Sequence, residues 1–145
     1  MKIQFNQEQE LALAFAAAWN RLEKRLDSSL GSINGISLAE YRLLRALSDA
    51  PSVWASRVDL ARVVGLTPSG VTRALRPLEK LGLISTAKSK RDARLALASL
   101  TPAGQEMVND AAGVVSDTMS DMIARSPELS DRVDELIGLL VELGR

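Results

Sequence analysis

Ser56-Arg57-Val58-Asp59-Leu60-Ala61-Arg62-Val63-Val64-Gly65-Leu66-Thr67-Pro68-Ser69-Gly70-Val71-Thr72-Arg73 is the stretch that decides the fold. Ser56 is followed three residues later by an acid, the spacing at which a helix start can satisfy its orphan backbone donors reciprocally. Leu60, Ala61, Val63 and Val64 then offer a face to a core. Gly65 is the residue best suited to the left-handed conformation that ends a helix, with Leu66 packing back beneath the turn. Thr67-Pro68 restarts the chain at once: Thr is a good N-cap, and Pro loses nothing at the first helical position, where its missing donor has no intrahelical partner. A charged hairpin follows. Gly82 ends the second helix, Leu83 to Lys88 reads as a strand, Ser89-Lys90-Arg91-Asp92-Ala93 as the tip, and Arg94 to Leu100 as the returning strand. From Ser56 to Gly104 this order spells a winged helix-turn-helix, a DNA reader.

The second helix is expected to expose Ser69, Thr72, Arg73 and Arg76 while Val71, Leu75 and Leu78 pack inward. Small hydroxyl residues and free amides at its start suit close approach to phosphates, and Arg73 or Arg76 can reach guanine edges bidentately. Pro77 deletes a hydrogen bond to the Arg73 carbonyl and crowds it, at a cost of roughly 3 kcal/mol or a kink, so a bend is expected there. Lys88, Lys90, Arg91 and Arg94 on the hairpin suit the negative potential of a minor groove. Asp92 would be repelled by DNA and is assigned instead to bracing the wing through Arg94 or another Arg, a pairing that contributes little stability by itself.

The chain has no net charge, yet residues 55–94 hold nine Lys and Arg against three acids, 9 − 3 = +6, which leaves −6 for the remainder. A basic face on a neutral chain is the footprint of a surface that neutralises phosphates, though charge clustering alone describes any solvated face equally well. With no Cys and no His among 145 residues, thiol chemistry, imidazole bases and the usual zinc sites are excluded, and neither a metal nor a cofactor is expected. Asp117 and Asp121 stand four apart on one helix face, but acids on an exposed face are ordinarily solvated, so no catalytic residue and no enzyme is read here. No apolar run approaches the roughly 18 residues that span a bilayer, and the start lacks a signal segment. The expected location is the cytoplasm, with no membrane contact.

Outward from the core motif, Asn6 to Ser29 carries Leu11, Phe15, Ala18, Leu22 and Leu26 at helical spacing and is interrupted by Gly31 through Gly35. Ser37-Leu38-Ala39-Glu40 is a capping box for a helix with Leu38, Tyr41, Leu44 and Leu47 inward, ending before Pro51. Val53-Trp54-Ala55 is short but able to pair at the hairpin base. Thr101-Pro102 opens a helix to about Arg125, with Met107, Ala111, Val114 or Val115, Met119, Met122 and Ile123 on its apolar side. Ser126-Pro127 breaks it and caps a last helix striped with Leu129, Val133, Leu136, Ile137, Leu140 and Val141. The fold class is therefore mainly α with a small β-hairpin wing, one unit over 1–145. A winged helix-turn-helix lobe at 36–104 is flanked by dimerisation helices at 6–30 and 105–144. The terminal helices carry more apolar surface than a small winged lobe covers, which implies a partner rather than a closed monomeric bundle. A two-fold homodimer would set two reader helices about 34 Å apart, one turn of double-stranded DNA.

Leu66-Thr67-Pro68-Ser69-Gly70-Val71-Thr72-Arg73, Leu78-Glu79-Lys80-Leu81-Gly82-Leu83-Ile84, Asp92-Ala93-Arg94 and Leu100-Thr101-Pro102-Ala103-Gly104 together resemble, in order and spacing, the MarR family of transcriptional regulators. The resemblance covers roughly Ile36 to Gly104 by motif. It implies a homodimer with interlocked terminal helices, one winged helix per half-site of a pseudo-palindromic operator, and an Asp-x-Arg wing signature at Asp92 and Arg94. It also implies a repressor released by a small phenolic or anionic effector. The family's ligand cleft would draw on Phe15, Trp19, Leu22, Tyr41, Arg45 and Met107, with Arg45 as partner for a carboxylate; each also reads as a core or surface residue. The absence of Cys and His departs from members that sense peroxide or zinc. The competing reading is a winged-helix protein–protein interaction module without operator binding, in which Arg73 and Arg94 are ordinary surface charges.

Overall fold

A computed structural model of the chain describes residues 6–92 and 96–145. Among them the order is α1 (Gln7–Ile33), α2 (Leu38–Asp49), β1 (Ala55–Ser56), α3 (Arg57–Val64), α4 (Pro68–Lys80), β2 (Ile84–Lys88), β3 (Ala96–Leu100), α5 (Pro102–Ile123), α6 (Pro127–Asp131) and α7 (Val133–Leu143). The three strands form one antiparallel sheet in the order β1-β3-β2, with Ala55 opposite Ala98 and Ile84 opposite Leu100.

Local capping chemistry sets most of the boundaries. Asn6, Ser37, Ser56, Thr67, Thr101 and Ser126 each cap a helix by accepting a hydrogen bond from the amide three residues on, worth about 1 kcal/mol apiece. Only Ser37 has the full reciprocal box, with Glu40 returning a bond to its amide. At Ser56 the expected return bond gives way to an ion-pair approach, with Asp59 3.9 Å from Arg62. Gly65 ends α3 in the left-handed region, φ 71°, and the Leu66 amide closes back on the Ala61 carbonyl. The end of α4 is a Schellman turn: the Gly82 amide donates to the Glu79 carbonyl and Leu83 to Leu78, at 2.9 and 3.0 Å.

The core lies where α2, α3, α4 and the sheet meet the last turns of α1 and the first half of α5. Leu30, Leu43, Leu44, Leu60, Val71 and Leu78 are its fully buried large side chains, each contributing roughly 1.5–3 kcal/mol by burial. One bond ties the long arm to this lobe: Asp27 of α1 accepts from the Leu38 amide at 2.6 Å, adding a carboxylate to the positive end of α2.

The structure departs from the sequence reading at several points. Gly31 does not interrupt α1, because its backbone stays helical and the left-handed residue is Gly35, φ 72°. Val63 is not a core residue; at 66% exposed it lies on the outer side of α3 while Val64 turns inward, and Leu66 remains half-exposed. Of Val53-Trp54-Ala55 only Ala55 joins the sheet, with Ser56. α5 stops at Ile123, and the last helix is two, broken at Arg132, φ −125°, ψ 23°. There Arg132 grips Glu135 through two hydrogen bonds of 3.0 Å, which hold the Glu135 carboxyl below its usual range. Pro77 lies inside α4, which continues to Lys80 and ends before Gly82, as the sequence predicts. The apolar side chains of α7 and of the first turns of α1, among them Leu11, Phe15, Ile137 and Leu140, are exposed.

The junction of α4, β2 and α5 has no spare room. A Cβ at Gly104 would fall on the Leu83 carbonyl oxygen and 2.7 Å from the Leu100 side chain, whereas one at Gly113, also within α5, would meet nothing within 4 Å. Gly104→Ala is expected to lower unfolding free energy by about 1–3 kcal/mol through overpacking. Gly113→Ala should instead raise it by up to about 1 kcal/mol, because Ala forms helix more readily than Gly. Denaturant unfolding of the two variants checks both signs.

Candidate nucleic-acid interface

The reader helix α4 is presented by its two ends. At its start the Thr67 hydroxyl accepts from the Gly70 amide at 3.0 Å and the Thr67 carbonyl from the Val71 amide. Pro68 has no donor, so the Ser69 amide is the one left at the helix tip, where the macrodipole is positive. Gly70 leaves space for the cap: a Cβ there would stand 3.2 Å from the Thr67 hydroxyl. Val71, Leu75 and Leu78 fix the inner face in the core, which turns Ser69, Arg73 and Arg76 outward as expected. Thr72 is different. It is half-buried, and its hydroxyl donates to the Pro68 carbonyl at 3.1 Å, so it stiffens the first turn before it can offer anything to a ligand.

The far end of α4 is joined to the wing by contacts that no spacing rule reveals. Glu79 accepts from the Thr86 hydroxyl of β2 at 2.7 Å. The Thr101 hydroxyl donates to the Gly82 carbonyl at 2.7 Å, and the Thr101 amide to the Leu83 carbonyl at 3.1 Å. Helix, hairpin and the start of α5 are thus one hydrogen-bonded block. Glu79, an acid inside a basic window, therefore has a structural partner.

In the wing, Lys88, Lys90 and Arg91 are exposed. The tip is shaped by Ser89, whose hydroxyl accepts from the Arg91 and Asp92 amides at 3.2 and 3.4 Å. Such side-chain to backbone bonds are how Ser stabilises a turn. Arg94, and with it the expected pairing of Asp92 to Arg94, lies outside the described residues.

Of the six residues expected to line an effector cleft, Leu22 and Met107 are half-buried. Phe15 and Trp19 are exposed on α1, 46% and 40%, whereas Tyr41 is buried in the core. The Tyr41 hydroxyl accepts from Arg45 at 3.5 Å, and Arg45 donates to Asp49 at 3.0 Å; the two contacts raise the already high pKa of Arg45. Among the described residues no group of His, Cys, Asp and Glu could hold a metal ion, and no helix is long and apolar enough to cross a membrane. Asp117 and Asp121 are exposed on α5.

The wing and the reader helix have counterparts in known proteins. Residues 34–95 match the MarR family model. The HTH-type transcriptional repressor Rv2887 of Mycobacterium tuberculosis is 33% identical over 91 residues, 63% of this chain and 64% of the relative, so the chain spans just under two thirds of that repressor's length. A MarR family transcriptional regulator from Streptomyces coelicolor, solved in complex with DNA, superimposes with a TM-score of 0.79 at 25% identity, over 98% of this chain and 91% of that one. Bordetella bronchiseptica BpsR, whose DNA binding is regulated by 6-hydroxynicotinic acid, superimposes with a TM-score of 0.79 over 94% of this chain and 99% of its own, at 19% identity.

The cap at Thr67 offers a direct check on how α4 is held. Thr67→Ala is expected to cost about 1 kcal/mol of unfolding free energy and Thr67→Ser a few tenths at most, since Ser keeps the accepting oxygen; urea denaturation distinguishes the two. From the likeness over the whole chain and the α3–turn–α4 plus hairpin geometry, the chain has the winged helix-turn-helix fold of the MarR family, whose model residues 34–95 match.

Proposed function

We propose that the protein is a sequence-specific DNA-binding transcriptional regulator, a cytoplasmic homodimeric repressor that sets one winged helix on each half of a pseudo-palindromic operator. The observation that carries this reading is the single block in which α4 turns Ser69, Arg73 and Arg76 outward and is hydrogen-bonded, through Glu79 and Thr101, to a wing bearing Lys88, Lys90 and Arg91. In this reading Thr67, Ser69 and Thr72 line the approach to phosphate, Arg73 and Arg76 read base edges, and Lys88, Lys90, Arg91 and Arg94 follow the backbone and minor groove. Asp92 braces the wing. The winged lobe is 36–104, and the helices at 6–30 and 105–144 serve dimerisation within a single unit over 1–145. Support for repression comes from the mycobacterial relative, which is named a repressor, and support for DNA as partner from the Streptomyces structure solved with it.

A homodimer is favoured by the apolar side chains that α7 and the start of α1 leave uncovered. It also bears on the effector. Phe15 and Trp19 become walls of a cleft only where a second copy covers them, with Tyr41 and Arg45 behind; an aromatic or anionic ligand there would act on the spacing of the two readers. BpsR, regulated by an aromatic acid, supports that chemistry.

Fragments selected from genomic DNA supply the operator, and titration of the pure protein tests the reading. Sedimentation is expected to give twice the chain mass of 15.6 kDa. Affinity for the selected fragment should fall steeply with salt through counterion release. Arg73→Ala should cost about 1–3 kcal/mol and relax sequence preference, and Lys90→Ala should lower affinity for all sequences alike and reduce the salt slope by about 1. If Arg73→Ala combined with Arg94→Ala leaves DNA affinity unchanged, the protein is a winged-helix interaction module instead.

A further inference from the structure

We propose that the groove between the end of α2, the loop at 50–54 and α3 binds a small aromatic organic cation. This cavity of about 370 Å³ is of the size that small ligands occupy, roughly 300–1,000 Å³. It lies in the winged lobe, apart from Phe15 and Trp19 on α1. Leu60 and Val63 give it apolar walls from α3, and Trp54 closes the side formed by the loop. Both Trp54 and Val63 are large apolar residues that the fold leaves open, 40% and 66% exposed. Their exposure lacks a role in the core or in the reader helix, and a ligand in the groove would cover both.

The charges at the groove select the class of ligand. Asp49, Asp59 and Arg62 line it, two carboxylates against one guanidinium. Asp49 is held at one oxygen by Arg45 at 3.0 Å, and Asp59 stands 3.9 Å from Arg62, too far for a hydrogen bond. A cation over the Trp54 ring is attracted by the ring's negative face and gains further from both carboxylates. An anion meets two like charges and must compete with Asp59 for Arg62. The apolar walls favour an aromatic or quaternary ammonium body over a hydrated metal ion. A ligand seated here touches α2 and α3 together, the two helices between the long arm and the reader.

Trp54 is one of only two tryptophans, so in a Trp19→Phe background its fluorescence reports on the groove. Three probes of similar size, benzyltrimethylammonium, benzyl alcohol and phenylacetate, are titrated without DNA. The expected result is saturable quenching by benzyltrimethylammonium, at least about tenfold tighter than by phenylacetate, with benzyl alcohol between them. Asp49→Asn combined with Asp59→Asn should remove most of that preference. These side chains are more than half exposed, and circular dichroism confirms that the double variant is folded. Equal affinities for the three probes, a preference unchanged in the folded double variant, or no saturable quenching overturns the proposal. Because the titration contains no DNA, its outcome is independent of whether the protein binds an operator.

Discussion

The winged lobe depends on one close approach, the backbone of α5 at Gly104 against the carbonyl of Leu83. Everything on either side is positioned by it. Gly104 donates its amide to Thr101, Thr101 reaches back to the Gly82 and Leu83 carbonyls, and Leu83 is the residue that closes the turn ending α4. The same few atoms therefore terminate the reader helix, begin the hairpin and start the long helix that leaves the lobe. A side chain at 104 would push apart three elements at once, because a packed interior yields poorly to added volume.

Where the structure was legible in the sequence, the controlling interaction spanned three or four residues. The caps at Ser37, Thr67 and Thr101, the left-handed turn at Gly65 and the inward set of Val71, Leu75 and Leu78 all follow from neighbours along the chain. Where reading failed, the deciding partner was distant or the local signal ambiguous. Gly31 resembles a helix breaker, yet the helical backbone persists to Ile33 and the turn is made by Gly35; a helix-interior Gly costs only about 1 kcal/mol. Val63 and Val64 are both apolar, and only the packing of α3 on α2 and α4 decides which turns inward. The bond from Asp27 to Leu38 bridges eleven positions, and Glu79 to Thr86 joins a helix to a strand. No periodicity announces either. Of the side chains expected to meet DNA, Thr67, Ser69, Arg73, Arg76, Lys88, Lys90 and Arg91 are exposed, as local spacing suggested, whereas Thr72 is half-buried with its hydroxyl committed to its own helix; Arg94 lies outside the described residues.

Net charge is segregated along the chain. The window that forms the helix-turn-helix and wing carries +6 (nine bases less three acids) and the rest of the chain −6, while the apolar side chains left open on α1 and α7 lie outside that window. One surface is therefore suited to a polyanion and the other to an apolar partner. Two connections join them: α2, pinned to α1 by Asp27 and packed on α3 and α4, and α5, which packs on α1 and is bonded through Thr101 to the end of α4. A tilt of the arm can reach the reader through either helix.

Ser89 gives the wing a property beyond its geometry. Two amides at the tip are satisfied by one uncharged hydroxyl, so this part of the bend is set by a neutral side chain among charged ones. A change at Lys88 or Lys90 would leave the two Ser89 bonds in place while altering the charge offered to a polyanion.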